Sequence, residues 1–449
     1  MSRVTHLSRV SRRLLDMALF ICATTSAPAM HAAVPTAPVV PAAAAVPAAA
    51  AVPAAPAVPA APAVPAVSSL PAVPGHYMFA WAGDIEHTGT DFLAVIDADP
   101  ASQSYGHLVA TAATDQKSMQ VHHTEYAMPE SGLLFANDHL AGRTFIFDLQ
   151  DPLKPRVAAS FADMAGFSHP HSFLRLPNGH VLASFQHMHH MEGDSVMGSA
   201  GGLVEIDNQG QAIRSASSAD PAFPDALLMP YSLVVLPDID RVLVTNSSMH
   251  EEDAHGHTFQ VWRLSDLKLL KTTYFDTGAR RYGEIDPEEP RRGPDGSVFV
   301  QTYACGIERV TAIATDHPKS QLVYMFPGST CGVPTIVGHY LIQSVPLIHG
   351  VIVLNIASPA APVEVSRIKI DDKIAPHWTS WDAKAQRLTV TGYGEDRLYV
   401  LKLDQSTGSL SLDFAFHDTD GKAGFNFDNR QWPQGWKGSA IAHGVVFSR

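Results

Sequence analysis

At 449 residues, 46% hydrophobic and 17% charged, the chain has material for one large domain or two ordinary ones. A formal net charge of −13 excludes the broad basic face that nucleic-acid binding needs, and suits the attraction of cations.

The chain opens with Arg3, Arg9, Arg12 and Arg13, an apolar run over 14–23 and the small residues Ala27-Pro28-Ala29. That is the order of a secretory signal peptide over 1–32. Asp16 interrupts the apolar run, so an uncleaved anchor is the competing reading. Ser11-Arg12-Arg13-Leu14-Leu15 loosely follows a twin-arginine export signal. The expected location is periplasmic or secreted, with no membrane span once the signal is removed. Residues 33–75 carry no charge and consist mostly of Ala, Val and Pro, in near-repeats such as Ala55-Pro56-Ala57-Val58-Pro59. Proline at this density cannot continue a membrane helix, and nothing here builds a core, so an extended tether is expected.

From His76 the sequence becomes short β-like runs between turn residues. Runs over 77–82, 92–96 and 107–111 come first. His122-His123-Thr124-Glu125-Tyr126 then opens a unit continued at 133–136, 143–149 and 157–161. His169-Pro170-His171 opens the next, with runs at 180–186, 202–206 and 212–215 and a hairpin turn at Pro177-Asn178-Gly179. Met229-Pro230-Tyr231, Tyr282-Gly283-Glu284-Ile285, Thr330-Cys331-Gly332-Val333 and Ala375-Pro376-His377-Trp378 open four more. Four-strand units at this period predict an all-β fold, a seven-bladed β-propeller over 76–449. The first unit lacks one strand and the run over 442–448 is left over, so the last strand is expected to complete blade 1 on its inner side. Closure of this kind hides the strand edges of an open array. A pair of β-sandwiches uses the same strands but leaves the last one unplaced.

In a propeller the inner strands line one axial channel. Their starts would gather His122, His123, His169, His171, His377 and His443 as metal ligands, with Tyr231, Glu284 and Cys331 in the remaining blades. His169 and His171, two apart, are expected on one face of a strand, whereas His122 and His123 are expected to point opposite ways unless the chain turns. Several imidazoles with few carboxylates suit copper, with zinc or iron as alternatives, better than calcium or magnesium. Tyr231 and Glu284 are candidate catalytic groups for proton transfer on position alone. Cys305 and Cys331 either form a disulfide or leave Cys331 as a thiolate ligand. The runs His187-Met188-His189-His190-Met191 and His250-Glu251-Glu252-Asp253 read as solvated loops, with low-affinity metal uptake as the alternative. No Gly-x-Ser-x-Gly elbow, phosphate loop or dinucleotide fingerprint is present.

The paired His122-His123, His169-Pro170-His171, Gly202-Leu203-Val204-Glu205-Ile206-Asp207 and the closing Ala442-His443 resemble, in that order, the selenium-binding protein and methanethiol oxidase family. The resemblance implies a seven-bladed propeller. In the bacterial oxidases it implies a histidine-bound copper that converts methanethiol with O2 and water to formaldehyde, hydrogen sulfide and hydrogen peroxide. His122, His123, His171 and His443 match the family's histidines. The family's close cysteine pair has no counterpart here, its Ala-His-Glu ending is Ala-His-Gly, and His377 has no equivalent. The expected function is thus an exported copper oxidoreductase acting on a small thiol. The alternatives are a periplasmic metal- or selenium-binding propeller without turnover, and an interaction scaffold with an empty channel.

Overall fold

The structure, a computed structural model, describes residues 75–188, 200–248, 255–275 and 286–449. The expected leader, the tether except Gly75, the run from His189 to Met191, the run from His250 to Asp253 and Glu284 lie outside the described residues. Among the described residues no helix is long and apolar enough to cross a membrane.

Seven antiparallel blades follow one another around an axis, each built on four strands. Second and third strands are buried along nearly their whole length, as in Leu133–Asp138, Tyr340–Val345 and Gly350–Asn355, because neighbouring blades cover both faces. Outer strands such as Arg156–Phe161 and Val363–Lys369 alternate between exposed and half-buried residues, the period-two signature of a strand with one wet face. The core is accordingly a series of layers between blades. Phe135 and Ile146 of blade 2 pack on Phe173, Val181 and Phe185 of blade 3, and Leu176 and Leu182 of blade 3 pack on Val242 and Trp262 of blade 4.

The closing strand, Ala440–Phe447, pairs with Tyr77–Asp84, setting Phe447 opposite Met78 and Val445 opposite Ala80. It takes the inner edge of blade 1, as the count of runs required. The inner strand of blade 5 is Pro287–Arg292, later than the start expected at Glu284. In blade 6 the inner strand shrinks to Thr335–Val337, and the preceding Cys331 is disulfide-bonded to Cys305 of blade 5 with Cα atoms 5.0 Å apart. That bond removes Cys331 from the candidate ligands.

Six inner strands share one irregularity at the same level. The ladder skips a residue so that two neighbours face one: His122-His123 opposite Asn137, His171-Ser172 opposite Ser184, and Tyr231-Ser232 opposite Thr245. Likewise Glu288-Glu289 lies opposite Gln301, His377-Trp378 opposite Thr391, and His443-Gly444 opposite Trp81. These are β-bulges, which bend the strand and re-aim two consecutive side chains. Backbone groups freed by the bulge are satisfied by the polar residue across from it. Asn137, Ser184 and Thr245 accept from the N–H of His123, Ser172 and Ser232. Ser184, Thr245 and Thr391 donate to the carbonyls of Tyr231, Glu288 and His443 in the next blade, at 2.8, 2.6 and 3.0 Å. The channel lining is therefore pinned from blade to blade.

Candidate metal centre

The bulges bring five imidazoles together. His122 stacks on His123 with ring centroids 4.2 Å apart and on His443 at 4.4 Å, while His171 lies 4.7 Å from His122 and 4.5 Å from His123. His377 joins through His443 at 4.5 Å. The adjacent His122 and His123 turn to the same side because both belong to a bulge, against the alternation of a regular strand. His169 does not join. Its φ of +57° takes it out of extended geometry, so the two-residue spacing from His171 fails to put both rings on one face. Its ring lies instead 5.0 Å from His187 and 6.0 Å from His139.

The hydroxyl of Ser172 lies 3.0 Å from Nδ1 of both His123 and His171. Accepting from both N–H groups, it leaves Nε2 of each ring with a lone pair, the usual way an outer partner fixes a ligand's tautomer. Burial holds His122, His123 and His443 well below the ordinary histidine range, and the neighbouring imidazoles push the same way. Burial alone lowers His377 to about 4. All are neutral at physiological pH. Nδ1 of His122, Nε2 of His123 and Nε2 of His377 have no hydrogen-bond partner although buried. Ligand atoms of His122, His123 and His171 lie within 4.8 Å of one another. Neutral, desolvated, convergent nitrogens left unpaired are costly unless they hold something, and the donor set fits a transition metal.

Facing the imidazoles is an acidic wall from blade 5. Glu289 accepts from Tyr126, from Ser232 at 3.0 Å and from Arg291 at 3.0 Å, and its other oxygen lies 3.6 Å from Nε2 of His123. The Arg291 guanidinium lies 3.9 Å over the Tyr126 ring, which stacks on Trp378. Burial opposes the charge on Arg291, but Tyr126 and Glu289 hold its pKa above the ordinary arginine value. Glu288 is pushed well above the carboxylate range by burial, reinforced by Glu289 and Asp286, which favours its protonated form. It is hydrogen-bonded to Gln301 and to Tyr231, whose ring centroid lies 3.9 Å from that of His171. Burial likewise raises Tyr231 well above the ordinary tyrosine value. Sequence reasoning missed Glu288, Glu289, Arg291, Tyr126 and His139. A signal was present for the acids: Pro170, Pro230, Pro287 and Pro376 each stand immediately before the first bulge residue.

At Gly444 a Cβ would lie 2.7 Å from the backbone nitrogen of Thr124, which accounts for glycine after His443. Gly332 meets the His377 carbonyl in the same way, so blade 6 lends backbone to the channel wall.

Fold and site define the class: a seven-bladed β-propeller with a buried polyhistidine cluster in its axial channel. No family model matches the sequence. The chain is 28% identical over 214 residues to methanethiol oxidase of a Hyphomicrobium species, a match that covers 43% of this chain and 47% of that protein. It thus spans about half the length of the curated relative. A selenium-binding protein of Sulfolobus tokodaii shares the fold with a TM-score of 0.64 at 14% identity, over 83% of this chain and 93% of its own. The periplasmic gluconolactonase of Pseudomonas aeruginosa does so with a TM-score of 0.56 at 10% identity, over 83% of this chain and 99% of its own. The chain is therefore similar to the selenium-binding protein and methanethiol oxidase family as a distant relative.

Proposed function

We propose that the protein is an exported, copper-dependent oxidoreductase of the methanethiol oxidase type, oxidising a small thiol with O2 and water to an aldehyde, sulfide and hydrogen peroxide. The observation that carries this reading is the convergence of buried imidazoles from blades 1, 2, 3 and 7, with Nδ1 of His122, Nε2 of His123 and Nε2 of His377 lacking a hydrogen-bond partner. His122, His123, His171 and His443 would hold the metal, with His377 at its rim. Copper would supply a redox centre and a Lewis acid. The similarity to methanethiol oxidase supports the choice of substrate class.

The chain's own residues supply the rest. Ser172 orients two imidazoles. Glu289, facing His123 and tied to Tyr126 and Arg291, can accept a proton, and Glu288, whose protonated form burial favours, can give one through Tyr231. Glu284, the other candidate for proton transfer, lies outside the described residues. Trp378, Tyr126 and Tyr231 close the cluster with aromatic surface that excludes water.

Elemental analysis of the exported protein, followed by assays of peroxide and sulfide release from methanethiol, tests the proposal. Stoichiometric copper with both products is the expected result. Absence of any stoichiometric transition metal ends the metal-enzyme reading, and metal without peroxide or sulfide makes the protein a binding propeller.

A further inference from the structure

A second file of imidazoles leads away from the channel cluster. The ring of His139, just after the second strand of blade 2, lies 5.5 Å from His122 and 5.1 Å from His171. His169 lies 6.0 Å beyond it, and His187, near the end of Val181–Met188 in blade 3, lies 5.0 Å from His169. The left-handed φ that removes His169 from the cluster is what turns its ring into this file. His139 is fully buried and His187 is 8% exposed, whereas His169 between them is half-buried, so the file meets solvent at His169 as well as at its outer end.

We propose that His187, His169 and His139 form an uptake path along which a borderline transition-metal cation reaches the channel histidines. The inference rests on the metal-site reading above. A bare cation entering dry protein faces a prohibitive desolvation cost. Exchange from one imidazole to the next keeps it ligated throughout. Metal–nitrogen bonds are about 2 Å long, so rings with centroids spaced as these are can share a passing ion after small rotations. Imidazole donors are the kind that borderline transition metals prefer. On the opposite side, His377 lies beside the exposed Tyr393, at 5.5 Å, and gives the cluster a separate opening.

The experiment uses the full chain, stripped of metal by a chelator and offered Cu(I) from a chromophoric chelate in a stopped-flow instrument. His169→Asn/His187→Asn should reach the parent's final copper stoichiometry at least tenfold more slowly. A double variant within twofold of the parent's rate overturns the path and routes the ion past His377. Lost final occupancy in a variant with the parent's circular dichroism also overturns it, because these residues would then be ligands of the final site. If the double variant fails to fold, single His169→Gln is read by the same two criteria. A parent that binds no copper sinks the metal-site reading instead.

Discussion

Deleting residues 440–449 removes the inner strand of blade 1 and one channel histidine together, and a point change at His443 separates the two losses. Val445, Val446 and Phe447 are all buried, the first two completely. Each such side chain contributes about 1.5–3 kcal/mol, roughly 5–9 kcal/mol for the three. The whole stability of a typical domain is about 5–15 kcal/mol. Truncation also strips the ladder from Tyr77–Asp84 and the bond from the Ser448 N–H to the Tyr77 carbonyl at 2.7 Å, leaving an open edge. The expected outcome is no folded, soluble protein by far-UV circular dichroism and size exclusion. His443→Ala keeps the strand; its metal-free form should melt within a few degrees of the parent, as a change of about 1 kcal/mol shifts a large domain by about 2–4 °C. Its copper content should fall below half. A truncated protein with the parent's urea midpoint would refute the placement of the closing strand, and full occupancy in His443→Ala would make that histidine a strand-end residue only.

Glu289→Gln takes the counter-charge from the buried Arg291 and should cost about 3–5 kcal/mol, read as a lower urea midpoint; a loss of stability below about 1 kcal/mol would show that Tyr126 alone suffices. Cys305 and Cys331 close a loop with a sequence separation of 26, for which chain entropy gives about 3.5 kcal/mol, so the Cys305→Ser/Cys331→Ser protein should melt lower and neither thiol should react in the native parent. The metal-free protein should lose stability on acidification. His122, His123, His377 and His443 have folded pKa values below those of the unfolded chain, so the unfolded state binds more protons as pH falls below about 6.5, continuing through about 4 for His377. Chemical denaturation from pH 8 to 5 should show stability rising with pH on the lower side of that window, and a flat profile would contradict the buried, neutral assignment.

Much of the architecture was legible because its signals are local. Apolar runs between turns predict the strands, and the surplus of one run at the end predicts the closure. The lining was legible where histidine marks it. Pro287-Glu288-Glu289-Pro290-Arg291-Arg292 resisted, because two prolines and four charges imitate a solvated turn. An inner strand tolerates proline where no ladder donor is needed, and here the charges pair inside the channel with Tyr126, Ser232 and Gln301. The shared orientation of His122 and His123 was hidden for another reason. A bulge is set by pairing across the ladder with Asn137, and alternation along a single strand carries no trace of it.

The recurring bulge also separates what the propeller must conserve from what it can change. Hydrogen bonds across the bulge use backbone N–H and carbonyl groups together with Asn137, Ser184, Thr245 and Thr391, none of which is a ligand candidate. The two residues displayed by each bulge leave the sheet indifferent to their identity, apart from the glycine crowded by Thr124. A dozen positions in one belt therefore act as interchangeable sockets. Substituting carboxylate, phenol or imidazole there would rewrite the chemistry of the channel while the backbone hydrogen bonds that hold each bulge stay in place.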